Sequence, residues 1–297
     1  MTEHVHTPVL LEEVITHLNL NPEKRFIDAT LDGAGHTAAV LERYPGIRIL
    51  GIELDPVQVA QLPERRPEVA RQIIVVNDSY ANLAQIVADH IFPPDAILMD
   101  LGLSSWHYEV SGRGFSFMRD EPLDMRFQPE TNPTTAAVIL NTASVDELER
   151  ILATYGQEQF ADAIAYAVVR ARSATPIRTT FDLVRVIEST VPAWYRHRKL
   201  HCATKTFQAL RVAINDELSS VANGIRAAID VLNPSGRLAV ISFQGMEDRI
   251  VREAFKAAVA GGRGSWVTRA TLRPTWEEAK RNPRARSAKL KLFQKAE

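Results

Sequence analysis

The sequence has a single cysteine, Cys202, among 297 residues, and this scarcity excludes an internal disulfide and a cysteine-rich zinc site. It is also typical of proteins that work in a reducing cytosol. No apolar run approaches the ~20 residues that span a bilayer, and the first residues lack the basic and apolar regions of a secretory signal. Because 45% of the residues are hydrophobic, the chain can bury a core without covalent cross-links. We therefore expect a soluble, cytoplasmic, globular protein that does not bind a membrane.

An excess of charge of either sign is also missing, since the net charge is −1. The basic and acidic residues are nevertheless distributed unevenly along the chain. Residues 1–100 carry 7 basic and 15 acidic side chains, whereas residues 170–211 carry 9 and 2, and residues 263–297 carry 10 and 3. Two basic stretches on an acidic body favour a polyanion partner such as nucleic acid. Two solvated helical faces would give the same pattern, so charge alone leaves both interpretations open.

Short apolar runs rich in β-branched residues alternate with helical patterns over the first hundred residues. Four runs have the nearly continuous hydrophobicity of buried parallel strands: Arg25–Leu31, Ile47–Glu53, Ile73–Val76 and Ala96–Asp100. This alternation predicts an open, mostly parallel α/β sheet. Helices alone are predicted between about 113 and 205, and a long amphipathic stretch follows at about 204–231. Strands are predicted again at Arg237–Phe243, Trp266–Ala270 and Ala288–Phe293. The pattern predicts one α/β domain interrupted by a helical insert.

Glycines follow the first predicted strand, at the turn into a helix. Gly33 and Gly35 allow a tight turn and let backbone N–H groups approach a ligand at the helix N-terminus. The spacing Gly33-x-Gly35-x-x-Ala38 also satisfies the dinucleotide fingerprint. An NAD-type oxidoreductase is therefore an alternative hypothesis, and a plain tight turn is another.

Carboxylates at successive strand ends favour S-adenosylmethionine, because its sulfonium is a cation and a pyrophosphate is an anion. Asp28, inside the first strand, can hold the amino-acid end of this donor, and Glu53, ending the second, can accept both ribose hydroxyls. Asp78 and Tyr80, after the third strand, are placed to bracket the adenine by hydrogen bonding and stacking. An ordinary loop position would explain Asp78 or Tyr80 equally well.

Asp100 ends the fourth predicted strand, at the edge where open α/β sheets bind ligands. A carboxylate there can accept an N–H bond from an aromatic amine and aim the nitrogen lone pair at the methyl group of the donor. Such a transfer gains mainly from proximity and alignment, up to roughly 7–11 kcal/mol, and needs no strong base. The sequence predicts Asp100 as the catalytic residue, with a strand-end cap as the alternative.

Eight short sequence motifs, spread in succession along the whole chain, resemble those of a known family. They are His6–Glu13, Asp100–Ser105, Arg113–Phe117, Pro122–Arg126, Thr206–Arg211, Asn215–Leu218, Glu247–Val251 and Asn282–Ser287. Through them the chain resembles the RsmH (MraW) family of bacterial 16S rRNA cytosine-N4 methyltransferases. The resemblance implies a class I methyltransferase with a Rossmann-like sheet, residues 1–107 and 208–297, and an inserted all-helical substrate-recognition domain, residues 108–207.

The resemblance also implies the reaction and the residues that serve it. The donor is S-adenosylmethionine, and the acceptor is N4 of a cytidine in the P-site decoding region of small-subunit rRNA, so that the partner is the small ribosomal subunit. The donor-site positions carried over are Ala34, Gly35, His36, Glu53, Tyr80, Asp100 and His107.

The chain departs from the family pattern at a few positions. Asp32 stands where a glycine is usual, and Gln244 stands where a histidine is usual and cannot act as an acid or base. Cys202 occupies a position where proline is usual. A catalytically impaired relative that still binds the donor and RNA is therefore an alternative hypothesis.

Substrate contacts are expected on the insert and on the basic tail. A stacked cytosine hides its N4 atom, so the base must be flipped out and held by side chains, with cations on the phosphates. The candidates are Ser104, Ser105, Arg113, Phe115, Arg126, Arg196, Arg198, Lys199, Arg284 and Arg286. The histidine pairs His4/His6 and His197/His201 have metal-binding spacings, but with no third ligand evident no metal site is predicted. A homodimer is left open.

Overall fold

The computed structural model describes residues 8–297 and divides them into two compact units. The described residues up to Gly102, together with Leu218–Glu297, form the first, which we call the sheet unit. Leu103–Glu217 form the second, the helical unit. His4 and His6, and with His6 the start of the opening motif, lie outside the described residues.

The limits of the helical unit differ from those of the insert proposed from the sequence. The unit begins at Leu103 rather than 108 and ends at Glu217 rather than 207. The later end has a physical reason, because Phe207 and Leu210 are buried in the core of the helical unit. The chain therefore leaves this unit only after the helix that carries them.

The described residues form seven strands. They are β1 (Arg25–Asp28), β2 (Arg48–Glu53), β3 (Ile74–Asn77), β4 (Ala96–Asp100), β5 (Arg237–Ser242), β6 (Gly264–Trp266) and β7 (Lys289–Lys295). All belong to one sheet in the order β3-β2-β1-β4-β5-β7-β6, in which β7 runs opposite to the other six strands. The α/β prediction is confirmed. β6 was predicted at Trp266–Ala270 but spans Gly264–Trp266, so it is shorter and begins two residues earlier.

The described residues also form fifteen α-helices and two short 3₁₀ helices. The α-helices are α1 (Leu11–His17), α2 (Gly35–Arg43), α3 (Pro56–Arg65), α4 (Pro67–Ala70), α5 (Leu83–Asp89), α6 (Ser105–Glu109), α7 (Ala136–Thr142), α8 (Val145–Gly156), α9 (Ala161–Ala174), α10 (Thr180–Thr190), α11 (Ala193–Arg196), α12 (Thr204–Ile214), α13 (Glu217–Val231), α14 (Gly245–Ala260) and α15 (Trp276–Arg281). The 3₁₀ helices span Tyr80–Asn82 and Pro283–Ser287. None of the described helices has the length and apolarity needed to cross a membrane.

Helices cover both faces of the sheet because the central strands are apolar on both sides. Phe26 of β1 packs with residues of α1 to α4, whereas its neighbour Ile27 packs with residues of α5, α13 and α14. Leu98 and Met99 of β4 divide between the two cores in the same way. Successive side chains of a strand point to opposite faces, so each strand serves both cores. This explains why the strands appear in the sequence as continuous apolar runs.

The helical unit has a core of its own, in which α8 and α12 approach closely. Leu148 and Ile151 of α8 and Phe207 and Leu210 of α12 are buried there. Gly156, the last residue of α8, permits the approach, because a Cβ atom added to it would lie 2.6 Å from the carbonyl oxygen of Lys205 and 3.1 Å from the Cβ of Ala209. Only a residue without a side chain fits at this crossing.

The substitution Gly156→Ala is expected to destabilise the protein by about 1–3 kcal/mol, because the added methyl group must push the backbone of α12 away. Urea unfolding measures the change. The matched control is Gly245→Ala in α14, where an added Cβ meets nothing within 4 Å, and no destabilisation is expected. Equal stabilities of the two variants would contradict this account of the α8–α12 crossing.

Candidate functional site

Three of the predicted site carboxylates lie at the carboxyl edge of the sheet. Asp28 ends β1, Glu53 ends β2 and Asp100 ends β4. These strands are parallel neighbours in the order β2-β1-β4, so their last residues meet at one edge. Asp28 and Glu53 are buried, and the Asp100 side chain is 14% exposed. The structure thus brings together the carboxylates that the sequence assigned to donor binding and catalysis.

The turn between β1 and α2 depends on left-handed residues that are not glycines. The positive φ angles belong to Asp32 (45°) and Ala34 (55°), and not to Gly33 or Gly35. The glycines of this turn therefore do not adopt its left-handed conformations. Aspartate tolerates the left-handed region, and the N–H of Ala34 is held by a 2.7 Å bond to the carbonyl of Leu31. Backbone strain of this kind concentrates at functional sites.

Glu53 fixes this turn against the end of β2. Its Oε2 accepts a 2.8 Å bond from the N–H of Asp32, and its Oε1 accepts a 2.8 Å bond from the N–H of Asp55. Burial, and next the charge of Asp32, raise the pKa of Glu53 to about 8. Each carboxylate oxygen retains a second lone pair, so Glu53 can also accept bonds from a ligand hydroxyl.

Asp28 connects β1 to α2 through two threonines that the sequence analysis did not single out. Its Oδ2 accepts a 2.7 Å bond from the hydroxyl of Thr37, and its Oδ1 accepts a 3.3 Å bond from the N–H of Thr30. Burial raises the pKa of Asp28 to about 6. An aspartate side chain often accepts a bond from the N–H two residues on, so Asp28 at a strand end would have identified Thr30.

Asp100 has defined contacts at its N–H and at one carboxylate oxygen, but not at the other. Its N–H donates a 2.7 Å bond to the hydroxyl of Thr30, and its Oδ2 lies 3.7 Å from Nδ1 of His36. Its Oδ1 is buried and has no hydrogen-bond partner among the described residues. Burial raises the pKa of Asp100 well above the usual range, and the charges of Asp32, Asp28 and Glu247 add to the effect. The edge therefore offers an unused acceptor atom in a strongly negative environment.

His36, the second residue of α2, is buried, and its orientation is fixed. Its Nε2 lies 3.1 Å from the carbonyl oxygen of Val9, and a carbonyl only accepts, so Nε2 carries a proton. Nδ1 therefore faces Asp100. The family-derived prediction placed His36 at the donor, and the structure places it beside the predicted catalytic carboxylate.

Asp78 and Tyr80 lie after β3, and both have structural contacts. Asp78 accepts bonds from the N–H of Ser79 (2.6 Å) and from the side-chain amide of Asn82 (2.8 Å). The Tyr80 ring packs against Gly224 of α13, where an added Cβ would lie 2.5 Å from a ring carbon. Gly224 thus makes room for the ring that the sequence assigned to adenine stacking.

Three predicted substrate contacts of the helical unit serve its internal structure. Arg113 donates to the carbonyls of Arg126 (2.8 Å) and Phe127 (3.2 Å). Arg126 pairs with Asp124 at 2.7 Å, and Phe115 is buried in the core. These contacts order the segment between α6 and α7. They leave little of these side chains for RNA.

The other predicted helical-unit and tail residues differ in exposure. Ser104 caps α6 by accepting a 3.0 Å bond from Trp106, and His107 is buried in the same helix. Ser105 and Arg198 are partly buried. The exposed cations of the set are Arg196, Lys199, Arg284 and Arg286.

The sequence matches the MraW methylase family over residues 3–296. The chain belongs to this family. Two relatives, both named "Ribosomal RNA small subunit methyltransferase H", come from Heliobacterium mobile and Dictyoglomus thermophilum. The first is 40% identical and covers 99% of this chain and 99% of its own length, and the second is 41% identical and covers 99% and 98%. The resemblance inferred from the motifs is confirmed, and an NAD-type oxidoreductase is no longer a candidate.

Gln244, which stands where the MraW family usually has histidine, lies at the start of α14. Gln244 is the N-cap of α14: its side chain accepts a bond from the N–H of Glu247, while Glu247 Oε2 accepts from the N–H groups of Gln244 (3.0 Å) and Phe243 (2.9 Å). The Glu247 carboxylate in turn raises the pKa of Asp100. The contacts of Gln244 thus stabilise the start of α14, and such contacts need no acid or base.

The buried carboxylates predict a pH dependence of stability in this MraW methylase. The folded-state pKa of Asp28, about 6, exceeds its ordinary value of 3.8, so the folded protein keeps a proton that the unfolded chain loses between these values. Stability therefore falls as the pH rises from about 4 to about 6. In Asp28→Asn this contribution is absent, and the variant should gain on the order of 3 kcal/mol over the wild type between pH 4 and pH 7.5.

Urea unfolding at both pH values measures the gain of Asp28→Asn. The amide can still bond Thr37 and Thr30, so the contacts survive the change. The control is Asp89→Asn on the exposed side of α5, for which no pH-dependent difference is expected. A constant difference between wild type and Asp28→Asn across this pH range would rule out the proposed protonation.

Proposed function

We propose that this chain transfers a methyl group from S-adenosylmethionine to N4 of a cytidine in the P-site decoding region of 16S rRNA. Membership in the MraW methylase family supports the reaction class. Relatives at 40% and 41% identity, named for small-subunit rRNA, support the substrate. The observation that carries the proposal is the group of buried carboxylates at the sheet edge, among which Asp100 presents an acceptor atom with no partner in the described residues.

The donor fits this edge because it is a cation. Bound S-adenosylmethionine would supply an activated methyl group on a positive sulfonium. The ionised forms of Asp28, Glu53 and Asp100 are disfavoured by burial, and a nearby cation stabilises them. We assign donor binding to the turn at 33–36 and to these carboxylates. Asp78, Tyr80 and His107 complete the predicted set.

The role proposed for Asp100 is to orient the amine and then to receive a proton. Its Oδ1 accepts one N–H of the cytosine amine and thereby fixes the direction of the nitrogen lone pair. A cation beside Asp100 lowers its pKa, so that the carboxylate is ionised when the donor is in place. After the transfer the methylated amine is positive and acidic, and Asp100 can take up its proton. The methyl group comes from a sulfonium, which would leave as a neutral thioether, so the transfer balances without a metal ion.

RNA binding is assigned to the exposed cations. Arg196 and Lys199 of the helical unit and Arg284 and Arg286 of the tail face solvent and suit phosphate contacts. Arg113, Phe115 and Arg126 are better explained as the framework of the segment between α6 and α7. We place the activity in the cytoplasm, where small subunits are assembled.

The test is to incubate the purified chain with labelled donor and small ribosomal subunits that lack the modification, followed by nucleoside analysis. We expect N4-methylcytidine. Asp100→Ala should lower kcat by about 100-fold or more, because the amine loses the group that orients it. Binding of S-adenosylhomocysteine, which lacks the sulfonium charge, should change only a few-fold.

The control for Asp100→Ala is Asp89→Ala, which removes an exposed carboxylate of α5 and should leave turnover unchanged. Turnover within threefold of wild type in Asp100→Ala would remove Asp100 from the mechanism. Donor binding by the wild type without methyl transfer to correct subunits would instead favour the catalytically impaired relative.

A further inference from the structure

The helical unit contains a group of three metal-ligating side chains outside the site described above. Glu188 lies near the end of α10, and His201 and Cys202 lie in the turn that precedes α12. One ligand atom of each residue lies within 4.8 Å of those of the other two. Nε2 of His201 and Oε1 of Glu188 are 3.8 Å apart, which is too far for a hydrogen bond.

We propose that Glu188, His201 and Cys202 bind a zinc ion that joins α10 to the turn before α12. Thiolate, imidazole and carboxylate are the three ligand types that zinc prefers in proteins. Around a tetrahedral zinc, ligand atoms are separated by about 3.3–3.8 Å. Side-chain rotations that move these atoms by about 1 Å would therefore bring all three to coordinating distance. A water molecule would supply the fourth ligand.

The surroundings hold two of the three ligands in place. The ring of Phe117 stacks on the ring of His201, with centroids 4.7 Å apart and planes inclined by 16°. Cys202 is buried against the core of the helical unit. Both side chains are therefore restrained before an ion binds.

One existing contact opposes the site. The N–H of Ala203 donates a 3.2 Å bond to Nδ1 of His201, which places the proton of the neutral ring on Nε2. A cation at Nε2 moves that proton to Nδ1, so the Ala203 amide loses its acceptor. Ala203 is buried, so leaving its amide without an acceptor would weaken zinc binding by roughly 5- to 150-fold. The free energy with which structural sites bind zinc is several times larger than this loss.

The exposed cations Arg196 and Lys199 lie between Glu188 and His201 in the sequence, so zinc would restrain the segment that carries them. Sequence alone identified only the histidine spacings, because Glu188 lies 13 residues before His201 and only the fold brings the two together.

The test uses the untagged full-length chain with His4→Ala and His6→Ala, because this histidine pair, outside the described residues, could bind zinc by itself. The apoprotein is titrated with Co²⁺ and then with Zn²⁺. We expect one equivalent of Co²⁺ to give a near-ultraviolet thiolate charge-transfer band that zinc abolishes.

Cys202→Ser is expected to abolish the charge-transfer band and to weaken zinc binding by about 100-fold or more, because the thiolate is the strongest ligand. Zinc should raise the thermal midpoint of the parent chain and not that of Cys202→Ser. The matched control is Glu149→Gln, an exposed residue of α8, which should bind zinc as the parent does, in contrast to Glu188→Gln.

Either of two results would overturn the proposal: a cobalt complex without a thiolate band, or a zinc affinity that is equal in the parent and in Cys202→Ser. Circular dichroism checks that both proteins are folded. None of these measurements uses methyl transfer, so the zinc site and the proposed activity stand or fall separately.

Discussion

The structure depends on carboxylates that are buried together at one edge of a parallel sheet. Asp28, Glu53 and Asp100 reach this edge because parallel strands end on the same side, and burial raises the pKa of each. Backbone N–H groups and hydroxyls satisfy most of their oxygens, but they do not neutralise the charge. Buried like charges of this kind are costly unless protonated or paired with a cation. A positively charged ligand at this edge would therefore stabilise the ionised carboxylates.

The same carboxylates organise the backbone around them. Glu53 accepts from Asp32 in the β1–α2 turn and from Asp55 at the start of α3, and Asp28 accepts from Thr37 of α2. These bonds over-determine the turn, and this is the condition under which a strained residue such as Ala34 persists. A site fixed in advance does not have to be ordered when the donor arrives. The acidic edge and the strained turn are therefore two aspects of one preorganised structure.

Sequence patterns predicted the features that depend on periodicity and strand direction. Strands buried on both faces give continuous apolar runs, and strand ends in a parallel sheet converge, so Asp28, Glu53 and Asp100 could be grouped before the structure was known. Conformations chosen by tertiary contacts were beyond reach. The amphipathic stretch at 204–231 breaks at Asp216, which has φ 45°, although its apolar periodicity continues. Arg113 and Arg126 have the composition of RNA contacts, yet backbone carbonyls of their own segment engage them.

Two departures from the family pattern, Asp32 and Gln244, can be explained by charge and by helix capping. Asp32 occupies a left-handed position that aspartate tolerates better than most residues, and its charge raises the pKa of both Glu53 and Asp100. The additional negative charge of Asp32 makes the sheet edge more favourable for a cation. We therefore do not expect Asp32 to weaken binding of the donor. Gln244 caps α14 through its side chain and so keeps Glu247 oriented. Because an amide can fulfil this role, the absence of a histidine at this position removes a titrating group without removing the contact that shapes the site.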